Sequence, residues 1–425
     1  MDIGLLTIIT ILLLISVASM LFYIVNAAYA YRYKIKDKSS VEFDEDEVTA
    51  IMPVYSEDPD SVLINLAVLQ NQVKTVYLVV DGSSDNYDRA SMVPGVVVIK
   101  NGVRMGKRES IANGISRVST KFTLLIDADA YLQEGSVRKL LANFQENVGG
   151  VGANIGIKLE KSNKISYASE FLERSKETLM RAMSLRGSVS LLDGACAMYR
   201  TELIKSHILS PEFRGLRING GIPYEGGGDD SELTSIVIRK GYLAIKDFDV
   251  MVMVSPKRTV KTFSKQLVRW TRNSWRSFFL NFRNGTAKKA GNFYRAEMIM
   301  TFAMPILFTI AIFIRAFFYV HTIFHHVTFG AIPSFTSLEF VLFSDLRRPI
   351  ALLSSIMGSG GSFIFLSAAM NNVRKDRIRI IIYGAMASFL IFLASIYALI
   401  TYHKASRSTF IAKGEDNIEK VPLEI

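Results

Sequence analysis

The chain carries two kinds of hydrophobic pattern. Four stretches are almost wholly apolar: Ile3–Ile24, Met298–Val320, Ile350–Met370 and Ile380–Ile400. Each is close to the ~20 residues that cross a bilayer. Roughly 260 residues between the first and second stretches are polar and patterned. There, short apolar runs alternate with helical ones. "VTAIMPVY", "TVYLVVDGSSD", "GVVVIK" and "FTLLIDADA" read as buried strands. "SVLINLAVLQNQ" and "GKRESIANGISRVS" read as helices between them. Strands alternating with helices predict an α/β domain, a mostly parallel sheet flanked by helices. Such sheets bind ligands at the carboxyl ends of their strands. Those ends carry Tyr55-Ser56-Glu57, Asp81-Gly82-Ser83 and Asp127-Ala128-Asp129.

Composition sharpens this picture. Of the 425 residues, 49% are hydrophobic. The mean hydropathy of +0.24 is too high for an ordinary soluble protein. The first apolar run lacks the basic start and small-residue cleavage pattern of a signal peptide, so it is expected to remain as an anchor. The net charge is +11, and its basic residues gather beside the apolar runs, in "YRYKIKDK", "KRTVK" and "VRKDRIR". That placement points to membrane lipids as partners and away from nucleic acid. It puts the polar domain in the cytoplasm of a multi-pass membrane protein, with the N-terminus outside. A single cysteine, Cys196, excludes an internal disulfide and a cysteine-built zinc site. Of five histidines only His207 lies in the polar domain, which argues against a histidine metal site or a Ser-His triad.

Several short stretches carry chemistry. Asp127 and Asp129 are two apart, so at a strand end they point to one side. Paired carboxylates suit a hard divalent ion, Mg²⁺ or Mn²⁺, and also suit a plain surface turn. Asp81 follows its strand in the same way and reads equally as an Asp-Gly turn. In "NGVRMGKRES", Lys107 and Arg108 sit where a helix N-terminus would receive phosphate; a solvated basic turn is the other reading. "YEGGGDDSELTSIVIRKGY" sets glycines before Asp229-Asp230 at the start of an amphipathic helix. That suits helix capping or a general base on a loop. In "KTFSKQLVRWTRNSWRSFF", Gln266, Arg269 and Trp270 share a helix face, with Arg272 and Arg276 behind them. Arg suits phosphate and Trp suits a sugar ring, although a basic interfacial helix would look alike.

Taken together, "PVYSE", "VVDGSSD", "GKRES", "DADA", "LLDGACAMYR", "GGGDDSELT" and "QLVRW" resemble the ordered motifs of membrane-bound processive family 2 glycosyltransferases, the hyaluronan, chitin and cellulose synthases. The resemblance covers about Val48 to Phe279. It implies a GT-A-type nucleotide-sugar-binding domain and a UDP-sugar donor. Tyr55 and Glu57 would border the base, Asp81 would hold the uridine, and Lys107 would contact the nucleotide and its phosphates. Asp127 and Asp129 would hold the divalent ion on the diphosphate, Mg²⁺ or Mn²⁺. Asp230 would be the general base and Arg269 would stabilise the leaving diphosphate. Gln266 and Trp270 would meet the acceptor, a growing polysaccharide or a lipid. Asp193 and Cys196 of "LLDGACAMYR" would line the acceptor end, where a buried strand with a glycine turn is the alternative.

The implied layout is an N-terminal span at 1–30, a cytoplasmic catalytic domain at 48–255 and interfacial helices at 256–294. Spans at 296–402 and a C-terminal tail at 403–425 follow. Two departures stand out. "SRSTFIAKGED" has no tryptophan where the family often has a Trp-Gly-Thr-Arg element, leaving Thr409, Phe410 and Lys413 for a different gating loop or a plain tail. One span before the domain and three after it would also put that tail outside, unless Ser334–Leu346 adds a re-entrant piece or the last run is a hairpin. Arg315, inside the second run, is expected to face a channel or a partner helix. Processive synthesis from UDP-sugars leads the functional expectations. Single transfer to a lipid carrier or glycolipid follows, and a channel subunit with a nucleotide-binding domain is the third.

Overall fold

The computed structural model describes residues 3–33, 43–214, 228–328, 360–373 and 375–402. Eight strands form one sheet: β1 (Val48–Val54), β2 (Thr75–Val80), β3 (Val96–Lys100), β4 (Phe122–Ile126), β5 (Ala130–Tyr131), β6 (Val148–Ile157), β7 (Cys196–Arg200) and β8 (Leu243–Val254). The helices around the sheet are α2 (Pro59–Leu69), α3 (Lys107–Ser116), α4 (Ser136–Leu141), α5 (Lys164–Arg186), α6 (Thr201–Ile208), α7 (Pro211–Arg214) and α8 (Asp229–Arg239). Before them runs α1 (Ile3–Arg32). After them come α9 (Val260–Arg283), α10 (Thr286–Ala290), α11 (Asn292–Thr328), α12 (Gly360–Met370) and α13 (Arg377–Thr401).

The strand order is β3-β2-β1-β4-β7-β6-β8-β5. The first four strands are parallel, as the alternating pattern predicts. Two strands depart from this: β5 runs antiparallel to β8, and β7 runs antiparallel to both β4 and β6. The reversal of β7 matters for the site. An antiparallel partner brings its start to the neighbour's end, so Cys196 pairs with Ile126. The loop before β7 therefore meets the turn after β4.

Alternation along the strands builds two cores. Ala50, Met52 and Val54 of β1 face α2 and α4, while Ile51 faces α3. Local signals start the helices where the sequence places them. Asp58 accepts from Ser61 N ahead of α2, with Pro59 in the first turn. Thr259 accepts from Thr262 N ahead of α9.

Three described helices are long and apolar enough to cross a membrane: Thr10–Arg32, Asn292–Ala311 and Arg377–Thr401. The third expected run is described only from Gly360, as the short apolar helix α12. Ser334–Leu346, the tail with Thr409, Phe410 and Lys413, and Tyr224–Gly227 lie outside the described residues, as does the side chain of Arg315.

The last span is fastened to the sheet domain through α5 and α9. Phe263, Leu267, Ile165 and Ala168 pack with Ala387 and Ala394. Trp275 is buried, donates Nε1–H to Ser395 O and stacks among Phe279, Phe278 and Phe302. Truncating so buried an indole costs about 3–5 kcal/mol. On the other side, Arg272 reaches Thr401 Oγ1 and Arg276 reaches Tyr402 O. Gly384 lies flat against the Phe171 ring of α5, with no room for a β-carbon. The variant Gly384→Ala is therefore expected to lose about 1–3 kcal/mol by overpacking. Thermal unfolding of the full chain in detergent should show a lower midpoint, and an unchanged midpoint would mean that α13 does not dock on α5.

Candidate active site

The site gathers at the carboxyl ends of β1, β2 and β4 and at the start of β7. Its centre is Lys107, the first residue of α3. The Lys107 Nζ lies 2.7 Å from Asp127 Oδ1 and 3.2 Å from Asp229 Oδ2. Burial disfavours its charge, but Asp127 and Asp229 outweigh burial and raise its pKa far above the usual lysine range. The cleft beside it is lined by Pro53, Ile111, Gly194, Tyr199, Asp230 and Leu233.

Asp81 shapes the approach to α3. Its carboxylate is nearly buried and accepts from Met105 N at 2.7 Å and from Gly106 N at 3.0 Å. Gly106 takes φ 95°, a left-handed value that favours glycine, and its amide points back at Asp81. Asp81 thus holds the 101–106 turn. Arg104 on that turn lies over the Tyr55 ring at 3.7 Å. Glu57 turns back to accept from Tyr55 N and Ser56 N. Arg104 escaped the sequence reading because nothing in "NGVRMG" distinguishes it from a solvated base.

Asp127, Ala128 and Asp129 form a turn, closed by Ala130 N donating to Asp127 O at 3.0 Å. The strand ends at Ile126, so the pair sits on a turn rather than on an extended strand end, and the charge of Asp129 reaches Asp127. Asp127 leans to Lys107 and Asp129 is exposed. Asn65 of α2 donates to Ala128 O and fixes the turn. Arg108 needs a correction. It is not a phosphate-facing base but points inward, with Nη1 2.7 Å from Glu232 and 3.0 Å from Phe213 O.

Asp230 opens α8 beside this cluster. Burial and the neighbouring Asp229 push its carboxyl up to about 7, with Lys107 opposing. Its Oδ1 accepts from Ser231 N at 2.7 Å. Gly228 packs so closely on that oxygen that a β-carbon would collide with it. Helix α9 docks here as well. Ser277 donates to Ser231 at 2.7 Å, and Asn273 lies beside Gly228. Gln266, Trp270, Asn273 and Ser277 follow three- and four-residue spacing along one stripe, with Arg269 at its edge. Arg269 is exposed and Trp270 is 40% exposed.

The loop before β7 closes the far wall. Asp127 N donates to Ala195 O at 3.1 Å. A β-carbon at Gly194 would sit 3.4 Å from Lys107 Nζ and 3.5 Å from Asp230 Oδ2. Asp193 points inward rather than to an acceptor, with one oxygen 2.7 Å from Lys176 and the other 2.5 Å from Lys246. Cys196 is fully buried, and burial pushes its thiol up to about 12. It presents no surface to an acceptor. Lys176 and Lys246 lie 17 and 53 residues from Asp193, so no local signal announces them.

The family model for glycosyl transferase family 2 matches residues 49–208. These residues are a family 2 glycosyltransferase domain. The chain is 25% identical over 259 residues to hyaluronan synthase of Streptococcus pyogenes, covering 55% of this chain and 58% of that one. It is 28% identical over 253 residues to an N-acetylglucosaminyltransferase of Rhizobium meliloti, covering 55% and 57%. A poly-beta-1,6-N-acetyl-D-glucosamine synthase of Staphylococcus aureus is 24% identical over 205 residues, covering 43% and 48%. The chain thus spans about half of the length of the curated relatives it matches. A mannosyltransferase from Pyrobaculum calidifontis, solved with GDP-Man and Mn²⁺, superposes with a TM-score of 0.54 at 18% identity, over 87% of this chain and 99% of that one. That likeness carries the GT-A fold.

The contact between Gly228 and Asp230 has a direct consequence. The variant Gly228→Ala is expected to displace the Asp230 carboxylate and cut transfer by roughly 10²-fold. The thermal midpoint should barely move, because the crowding is local. Full activity in that variant would mean that the Asp230 carboxylate moves aside without cost.

Proposed function

We propose that this chain is an inverting, processive glycosyltransferase. It extends a polysaccharide, hyaluronan- or chitin-like, from UDP-sugars and passes the product through its own membrane region. One observation carries the reading: Asp230, a carboxyl raised to about 7, stands at the cleft held by Lys107, and α9 with Gln266, Arg269 and Trp270 docks on the same helix start. The relatives, synthases of hyaluronan and of a poly-N-acetylglucosamine by name, support polymerisation.

The chemistry is a single displacement. An acceptor hydroxyl loses its proton to an Asp230 oxygen and attacks the anomeric carbon. The bond from that carbon to the diphosphate oxygen breaks, and the configuration inverts. Lys107 and Arg269 face the charge that builds on the departing diphosphate. Tyr55, Glu57 and the turn held by Asp81 receive the nucleotide. Trp270 and Gln266 offer an aromatic face and an amide to the acceptor sugar.

The donor set fits a divalent ion. Asp127 and Asp129 are hard oxygen donors on one turn, with Asp129 exposed. Among the described residues no group of three ligands is assembled, so substrate oxygens would complete the shell. Mg²⁺ or Mn²⁺ held there would supply charge neutralisation on the diphosphate.

A second reading is single transfer to a lipid carrier. Its support is the small membrane region: three candidate spans among the described residues.

Turnover is measured as UDP release by the detergent-purified chain with Mn²⁺ or Mg²⁺, with products sized on a gel. A high-mass product supports polymerisation, and a small lipid-soluble one supports single transfer. The variant Asp230→Asn should lose roughly 10²–10⁴-fold in rate. The base works deprotonated, so the wild-type kcat/KM should fall as pH drops below about 7 and level off above it. A flat profile between pH 5 and 8 would rule Asp230 out as the base.

A further inference from the structure

We propose that Ser277 of α9 is a positioning residue for Asp230, holding that carboxylate in register with the acceptor-side stripe of α9 by way of Ser231. This rests on the glycosyltransferase reading above, with Asp230 as its base. The first turns of α8 are fastened residue by residue. Lys107 holds Asp229, Arg108 and His207 hold Glu232, and Thr234 accepts from Leu192 N at 2.9 Å. Each tie reaches a different part of the fold. The Asp230 side chain has no such tie. Among the described residues its carboxylate takes a hydrogen bond from Ser231 N alone, at 2.7 Å. Its place is therefore set by the backbone from Gly228 to Ser231.

Ser231 secures that backbone. Its hydroxyl donates to Gly228 O at 2.9 Å and closes the segment around the carboxylate. A hydroxyl has one proton to give. With that proton on Gly228, the Ser231 oxygen accepts from Ser277 at 2.7 Å. The bonds thus run one way, from Ser277 to Ser231 to the Gly228 carbonyl, and Gly228 touches Asp230 Oδ1. One turn further along α8, Ser235 pairs with Thr286 at 2.6 Å. Helix α8 meets α9 and α10 through hydroxyls on this side, while its Leu233 and Val237 face the apolar core. Small apolar side chains would close the seam as tightly. Paired hydroxyls add register, because sliding α9 along α8 breaks them.

That register joins two halves of the site. Ser277 follows Trp270 by two helical turns, about 10 Å along α9. Between them Trp275 and Arg276 fix α9 to Ser395 and Tyr402. The helix that offers Trp270 to the acceptor therefore also sets the base. Reacting groups misplaced by about 1 Å lose roughly 10²-fold in rate, so a shared support for base and acceptor has direct kinetic value.

The test reads UDP release by the full chain in detergent with Mn²⁺, from UDP-N-acetylglucosamine alone and with UDP-glucuronate. Ser277→Ala should cut kcat about tenfold and leave KM for the sugar nucleotide within about twofold. Ser277→Thr keeps the hydroxyl and should recover kcat to within about threefold. Ser231→Ala breaks the same bond from the other side, and the double variant should be no slower than the slower single one. A group that acts through Asp230 adds nothing once that carboxylate is gone. Ser277→Ala in an Asp230→Asn chain should therefore leave the residual rate unchanged. Full kcat in Ser277→Ala would overturn the inference, and so would a further loss of about tenfold in the Asp230→Asn chain. A lowered thermal midpoint with KM raised as much as kcat falls would mean general loosening, and would overturn it as well. A wild-type rate in Asp230→Asn alone would instead remove the base, and a wild-type chain that releases no UDP from either mixture would remove the glycosyltransferase reading itself.

Discussion

One ammonium group holds the site together. Lys107 Nζ lies between Asp127, at the end of β4, and Asp229, at the start of α8. Asp230 stands next to it. Three carboxylates in one cleft repel strongly where water is scarce. The ammonium converts that repulsion into a fixed geometry. Against burial, and with Arg108 assisting, it holds the Asp229 carboxyl below the usual range, while burial and Asp229 push Asp230 up. Two adjacent aspartates therefore carry different duties, one as a structural anion and one as a candidate base. The difference comes from which of them the lysine touches.

The first turn of α3 extends this control. Arg108 grips Glu232 of α8 and the Phe213 carbonyl of α7, while Glu109 grips Arg214. His207 closes the arrangement on Glu232 at 2.8 Å. Three successive residues thus tie the end of β4, the end of α7 and the start of α8 to one helix terminus. The turn held by Asp81 feeds directly into that terminus. The side of the site assigned to the nucleotide and the side assigned to the acceptor share a single support.

Much of this was legible in the chain. Strand alternation gave β1 to β4, and the motif order placed Lys107, Asp127, Asp230 and α9 around one end of the sheet. Side-chain direction was not legible. Asp193 and Cys196 sit in a motif-like loop, yet the antiparallel course of β7 turns one inward and buries the other. Period and spacing describe a strand's faces but not its direction relative to a distant partner. Lys176 and Lys246 left no trace because their partner is remote in sequence. Of the two tryptophans, Trp270 drew notice through its motif. Trp275, the one that anchors α9, follows the plain four-residue recurrence Phe263, Leu267, Thr271, Trp275.

The docking of α9 has a consequence for how the protein is made. The buried stripe of α9 finds its cover in Ala387 and Ala394 and in the carbonyl of Ser395, more than a hundred residues later. The sheet and its aspartates emerge from the ribosome first, and domains generally fold in that order. Until α13 is made, the buried stripe of α9 lacks the partner at Ala387 and Ala394 and rests on α5 and α11. The full seating of α9 therefore waits on α13, which is made well after the sheet residues around Lys107.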